Sequence, residues 1–347
     1  MNNKVISFPH LSNYDVPIKY LIEKLTNAEV IPSPSITKKT IELGSKYSPD
    51  YVCMPFKYTL GNYIESLDNG ANILIQAGGG CRFGYYFELQ KKILEDLGYK
   101  FEFYSLSDND VNGIGSMYNM LRKINPNLKK IKYLYYLVLT FLMINYMDKI
   151  DMYIRKNIGF EIKKGSFERI KKSFVLNFYK SENIIILFKY YFKYRKKLKS
   201  VLIDKPKSCK KIYMLDNGYK YSNNYYIEKE LSKLNMKIEY YKNSTYSSSY
   251  KKLKNKFTSK KIKKICKYPL GNDYKIIKDI LKKNIDALIF VKSYNCSLEI
   301  SKIKILEKIC IIKKIPFMFL TIDYNFESND IQTRLYALND MIKMNKK

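Results

Sequence analysis

Three cysteines, Cys53, Cys81 and Cys296, each close or follow a short apolar run of strand character, and soft sulfur donors so placed are candidate metal ligands. Cys53 lies in Tyr51-Val52-Cys53-Met54-Pro55-Phe56-Lys57. Cys81 comes after Ile73-Leu74-Ile75-Gln76 and Gly78-Gly79-Gly80. Cys296 ends Ser293-Tyr294-Asn295-Cys296, behind the run Ala287-Leu288-Ile289-Phe290-Val291. In an alternating β/α chain these are the carboxyl ends of strands, where open α/β sheets hold their ligands. Cys53 and Cys81 stand 28 positions apart, yet two cysteines at the same end of neighbouring strands can share one site. Three sulfurs at the facing ends of two lobes suit a cuboidal iron–sulfur cluster, with one iron left open to water or substrate. Zinc is the rival metal. It would want a fourth protein ligand, and the sole histidine, His10, also follows a predicted strand.

The neighbours of these cysteines have chemical readings of their own. Gly79 and Gly80 let backbone amides approach cluster sulfides, or simply make a tight strand-to-helix turn. Lys57 and Arg82 offset the charge of a cluster, contact a substrate anion, or are ordinary surface charges. His10 is a fourth ligand, a proton donor, or a structural residue. The remaining cysteines, Cys209, Cys266 and Cys310, read as small buried or incidental side chains.

The elements that must position these residues alternate strand and helix. Strands are expected at Lys4–Phe8, Ala28–Ile31, Tyr51–Met54, Ile73–Gln76 and Lys100–Tyr104. Helices separate them, including Phe56–Leu67 and Phe83–Leu97, the latter closed by Gly98. Helical periodicity with little glycine or proline then runs from Met117 to Ser200. A second set of strands follows at Lys211–Leu215, Lys237–Tyr240, Asp286–Val291 and Phe317–Ile322, and polar residues 243–264 read as a loop plus a helix. The expected fold is α/β, with two doubly wound, mostly parallel-sheet lobes and a helical insert between them. Its parts are residues 1–106 with Cys53 and Cys81, the insert 107–204, and residues 205–347 with Cys296.

Composition narrows the classes of partner. The formal charge is +31, but only six of the 63 Lys and Arg residues are arginine. Nucleic-acid readers lean on the planar arginine fork, so nucleic acid is not the expected partner. Six cysteines in 347 residues make no disulfide scaffold, and no signal peptide precedes Pro9, so a cytoplasmic location is expected. The apolar run Tyr133–Met147 is too short for the ~20 residues that span a bilayer. A buried helix is expected there, and no membrane partner.

Taken together, Cys53-x-Pro55-Phe56-Lys57 with Gly61-Asn62, and Gly80-Cys81-Arg82-Phe83-Gly84-x-Tyr86, resemble the 2-hydroxyacyl-CoA dehydratase family, in particular its activase-related branch. Further likeness lies in Phe8-Pro9-His10, Gly44-Ser45-Lys46-Tyr47-Ser48-Pro49, Asn295-Cys296, Ile315-Pro316, Ile322-Asp323 and Thr333-Arg334-Leu335. It covers about residues 1–105 and 280–345. The resemblance implies a [4Fe-4S] cluster held by Cys53, Cys81 and Cys296. It also implies a separate ATP-dependent activase as electron donor, a homologous partner subunit, and an acyl-CoA or other small-molecule substrate that loses its 2-hydroxyl through a ketyl radical. No phosphate-binding loop of the activase itself is present, so the resemblance is to the cluster-bearing component, a lyase or low-potential reductase component. The alternatives are a non-catalytic cluster-bearing assembly or binding module, and a zinc protein.

Overall fold

The computed structural model describes all residues except 1–3, 77–85, 106–113, 182, 217–224, 244–272, 323–327 and 346–347. Cys81, Gly79, Gly80, Arg82, Cys266, Asp323 and the predicted loop and helix of 244–264 lie outside the described residues.

Alternating aliphatic residues on short strands bury both faces of a sheet, and this chain does so twice. Ile73 and Ile75 point to one face and Leu74 to the other. The first sheet joins β1 (Val5–Ser7), β2 (Glu29–Val30), β3 (Ile73–Gln76) and β4 (Glu102–Ser105) in the order β2-β1-β3-β4. Every pairing is parallel, with Ile6 opposite Ile73 and Leu74 opposite Phe103. One face is covered by α1 (Asp15–Thr26), α5 (Ile114–Ile124) and the start of α6 (Lys130–Asn157), through Leu21, Leu25, Leu121 and Tyr133. The other is covered by α3 (Met54–Asp68) and α4 (Tyr86–Asp96), through Phe56, Leu60, Tyr63 and Leu94. α2 (Lys38–Tyr47) opens with a capping box at Thr37, whose hydroxyl accepts from the Thr40 amide.

The second sheet repeats the design. It joins β5 (Lys210–Asp216), β6 (Met236–Asn243), β7 (Ala287–Ser293) and β8 (Phe317–Ile322) in the order β6-β5-β7-β8, again all parallel. Ile212, Met214, Ala287 and Ile289 bury one face against α9 (Tyr226–Lys233) and α12 (Ser328–Met344). Tyr213, Leu215, Leu288 and Phe290 bury the other against α10 (Asp273–Lys282) and α11 (Ser297–Lys313). Asp286 fixes the start of β7, because its Oδ2 accepts from the Lys211 amide at 2.7 Å.

The fold is thus α/β with two four-stranded parallel sheets. Among the described residues it forms two compact units. One takes in Met1–Asp151 and Glu168–Ser200, the other Met152–Phe167, Val201–Tyr219 and Asn224–Lys347. The helical stretch between the sheets comprises α5, α6, α7 (Ser166–Tyr179) and α8 (Ile184–Lys199). No described helix is long and apolar enough to cross a membrane. The run 133–147 lies in the 28-residue α6, which buries Tyr133, Leu137, Met143 and Met147 but leaves Leu134, Val138 and Phe141 exposed.

One expected element is absent. Residues 50–53 form a turn rather than a strand, with Tyr51 83% exposed and Val52 buried, so only four strands make the first sheet. Cys53 instead caps α3, and Pro55 takes its first turn, where a missing N–H costs nothing.

Buried tyrosines give the fold a high-pH limit. Burial pushes the Tyr133 hydroxyl up to about 12, and burial raises Tyr63 and Tyr213 as well. An unfolded tyrosine ionises near 10, so the unfolded chain releases these protons first. Their stabilising contribution is therefore complete below pH ~10 and is lost as pH climbs from there toward about 12. Tyrosinate absorbance followed beside circular dichroism should show the last tyrosines titrating together with unfolding. Full titration with the fold intact would contradict this.

Candidate functional site

The sequence of α3 and α4 brings Cys53 to the carboxyl edge of the first sheet. α3 leads back toward the start of β3, so its N-terminus lies at the far edge. Two amides tie that end to β3. Gln76, the last residue of the strand, donates from Nε2 to Gln90 Oε1 at 3.4 Å, and Gln90 Nε2 donates to the Phe56 carbonyl at 3.4 Å. Phe56 packs edge-on against Tyr86 with centroids 4.8 Å apart. The Cys53 thiol lies 3.9 Å from the Tyr86 hydroxyl. Tyr86 is the first described residue after Cys81, and the half-buried Cys53 touches that tyrosine. As N-cap of a 15-residue helix, Cys53 also lies at the positive end of the helix dipole, which favours a negatively charged ligand set. Lys57 follows one turn later on α3 and is half-buried.

Cys296 occupies a related place in the second sheet. It caps α11 three residues beyond the end of β7, and its amide donates to the Ser293 carbonyl at 3.3 Å. β7 lies third in the order β6-β5-β7-β8, as β3 does in β2-β1-β3-β4. Cys81 follows β3 in the chain and Cys296 follows β7. In each lobe a cysteine therefore comes after the strand that borders the topological switch point, between β1 and β3 or between β5 and β7.

His10 belongs to the same edge but not to the Cys53 corner. Its amide donates to Asn62 Oδ1 at 3.1 Å, and Asn62 Nδ2 donates to the Pro34 carbonyl at 3.1 Å. Asn62 lies about two and a half turns along α3 from Cys53. Asp15 Oδ2 stands 2.5 Å from His10 Nδ1, with both side chains mostly buried. The contact lacks hydrogen-bond alignment and becomes an ion pair when the imidazole is protonated. Asp15 Oδ1 accepts from the Leu11 amide at 2.6 Å, which fixes the carboxylate. Sequence reasoning passed over Asp15, although an acid in the first turn of α1, five residues after a lone histidine, was the available signal. It also missed a buried serine cluster behind β1, where Ser66 Oγ lies 2.9 Å from Ser7 Oγ and 2.8 Å from Ser33 Oγ.

Two of the incidental cysteines behave as expected of small buried side chains. Burial pushes the Cys310 thiol up to about 12, and Cys209, half-buried ahead of β5, is raised for the same reason. None of the four described cysteines is in a disulfide. Among the described residues no three His, Cys, Asp or Glu side chains converge as a metal site. The expected ligand set includes Cys81, which lies outside them. Arg334 of the Thr333-Arg334-Leu335 motif pairs with Asp330 one turn back in α12, at 3.1 Å.

No protein-family model matches this chain, and no curated protein matches it. The donor chemistry of the two described positions nevertheless fits a sulfur-ligated cluster. Both are half-buried cysteines at helix N-termini after the carboxyl edge of a parallel sheet.

Proposed function

We propose that the chain is a [4Fe-4S] protein whose ligands are Cys53, Cys81 and Cys296. It would receive electrons from a separate ATP-dependent activase for dehydration or reduction of a small substrate, an acyl-CoA in the first instance. The observation that carries this reading is the repeated strand order, with a cysteine following the third strand of each sheet in the chain and Cys53 at the carboxyl edge of the first sheet. The cluster, when bound, supplies single low-potential electrons and an open iron.

The chain's own residues have separate tasks. The positive end of the α3 dipole and the Tyr86 hydroxyl, 3.9 Å from the Cys53 sulfur, favour negative charge at that position. Lys57 adds a cation one turn away. Asp15 Oδ2 holds the His10 imidazole in place at 2.5 Å from Nδ1. Asn62 holds the His10 backbone, accepting from its amide.

The test is anaerobic purification with iron, zinc and sulfide analysis, and an EPR spectrum after reduction. About four irons and four sulfides per chain are expected. Cys53→Ala, Cys81→Ala or Cys296→Ala should each lower both by more than half, while Cys310→Ala leaves them unchanged. A colourless protein with one zinc would refute the proposal. A cluster indifferent to added acyl-CoA in its EPR spectrum would leave an assembly module rather than an enzyme.

A further inference from the structure

The helical stretch carries an apolar surface that the core does not use. On α6, Ile131, Leu134, Val138 and Phe141 recur at helical spacing on the outer side, with Ile131 84% exposed and Phe141 49% exposed. On α8, Ile185, Phe188 and Phe192 do the same, with Ile185 77% and Phe192 56% exposed. Both helices have a complete inner face besides. α6 buries Leu137, Met143, Ile144 and Met147, and α8 buries Leu187, Tyr191, Tyr194 and Leu198. These outward residues are therefore surplus to folding.

The two stripes follow one another along a packed helix pair. Tyr146 of α6 stacks on Tyr191 of α8 at 4.1 Å and meets Phe188 at 5.6 Å, and Lys149 sits over both tyrosine rings. α7 reverses direction between them: Lys171 pairs with Asp151 of α6, and Ser173, Phe174 and Asn177 meet Tyr194 of α8. α6 and α8 therefore run parallel. At about 100° per residue, the α6 stripe is turned roughly 100° to one side of Tyr146, and the α8 stripe roughly 90° to the other side of Tyr191. For parallel helices that face each other, these are the same side. The result is one apolar ridge.

Charge selects its occupant. α8 carries Lys189, Lys193, Arg195, Lys196, Lys197 and Lys199 and no carboxylate, and the first acid of α6 is Asp148. A second copy would set these cations against its own. Lysine is also depleted from protein–protein interfaces. Apolar side chains bordered by exposed lysines suit the boundary between acyl chains and anionic headgroups. We propose that the α6–α8 face lays this chain on an anionic lipid surface, with Phe141, Phe188 and Phe192 entering the acyl boundary. The expectation of no membrane partner rested on spanning length, which a helix lying flat does not need.

Flotation of the full-length protein with vesicles tests this, comparing pure phosphatidylcholine with an equal mixture of phosphatidylcholine and phosphatidylglycerol. Binding to the mixed vesicles should be about tenfold or more stronger, since each lysine near such a surface contributes ~1 kcal/mol, and should weaken as salt is raised. The double variant F188E/F192E should lose about tenfold or more of that binding while keeping its far-UV circular dichroism. K189Q/K196Q/K199Q, which leaves the apolar side chains in place and removes the lysines nearest them around α8, should weaken it too and decides the matter if F188E/F192E fails to fold. Absent or equal binding on the two vesicles overturns the proposal. So does binding that the charge variant leaves unchanged, or a stable dimer that F188E/F192E splits into monomers.

Discussion

Gly61→Ala is expected to lower the stability of the first unit by about 3 kcal/mol, a fall in Tm of roughly 6–12 °C. The reason is how closely α2 and α3 approach. A Cβ at Gly61 would stand 1.9 Å from the Thr40 carbonyl oxygen, and one at Gly44 would stand 1.7 Å from the Lys57 carbonyl oxygen. Both obstacles are helix backbone, so no side chain can rotate away and the helices must separate. Alanine favours a helix interior over glycine by up to ~1 kcal/mol, which is too little to offset a backbone clash. Separation would also move the N-terminus of α3 and with it Cys53, so Gly61→Ala should lose iron although every cysteine remains. Gly115→Ala supplies the control, because a Cβ there meets nothing within 4 Å. Thermal melts of the two variants, with iron content measured alongside, check this; equal stability would refute the close-packing argument.

That pair of glycines illustrates what the sequence made legible. Gly44 and Gly61 were visible as parts of motifs, but nothing local says that they face each other, because helix pairing is a property of the folded chain. Strands such as Ile73–Gln76 and Phe317–Ile322 were legible because an unbroken apolar run between polar breaks has few other uses in an α/β protein. The same rule misled at Tyr51–Met54. There the run is short, Tyr51 is in solvent, and Pro55 signals the first turn of a helix more strongly than Val52 signals a strand. The matching strand orders of the two sheets were beyond reach, since order depends on which distant strands pair. At the site, the cysteines could be found from residue type, whereas the pairing of His10 with Asp15 required the bend between β1 and α1. The α6 stripe misled in a further way. Its apolar content was read as burial on all sides, while the helix is inward-facing on one side and exposed and apolar on the other.

Glu228→Ala should cost the second unit about 3–5 kcal/mol, because it removes the carboxylate that faces a buried cation. Glu228 is in the first turn of α9 and accepts from Arg155 in the last turn of α6, with both side chains about 5% exposed or less. The ring of Tyr225 lies 5.0 Å from the same guanidinium and completes a nearly dry enclosure. The position of Glu228 helps, since a carboxylate in the first turn of a helix is stabilised by its dipole. Burying both charges is costly in itself, so the pair adds little net stability. Its effect appears when one half is removed. Glu228→Gln keeps the shape and a hydrogen-bond acceptor but strands the charge, so it should fall between the wild type and Glu228→Ala. Replacing both residues, R155M/E228L, should recover most of the loss, because the enclosure then holds no charge. Urea unfolding of the wild type, R155M, E228L and R155M/E228L closes a double-mutant cycle. A coupling energy near zero would mean that Arg155 finds enough water or other partners to stand without Glu228, and that the last turn of α6 is held to α9 by packing alone.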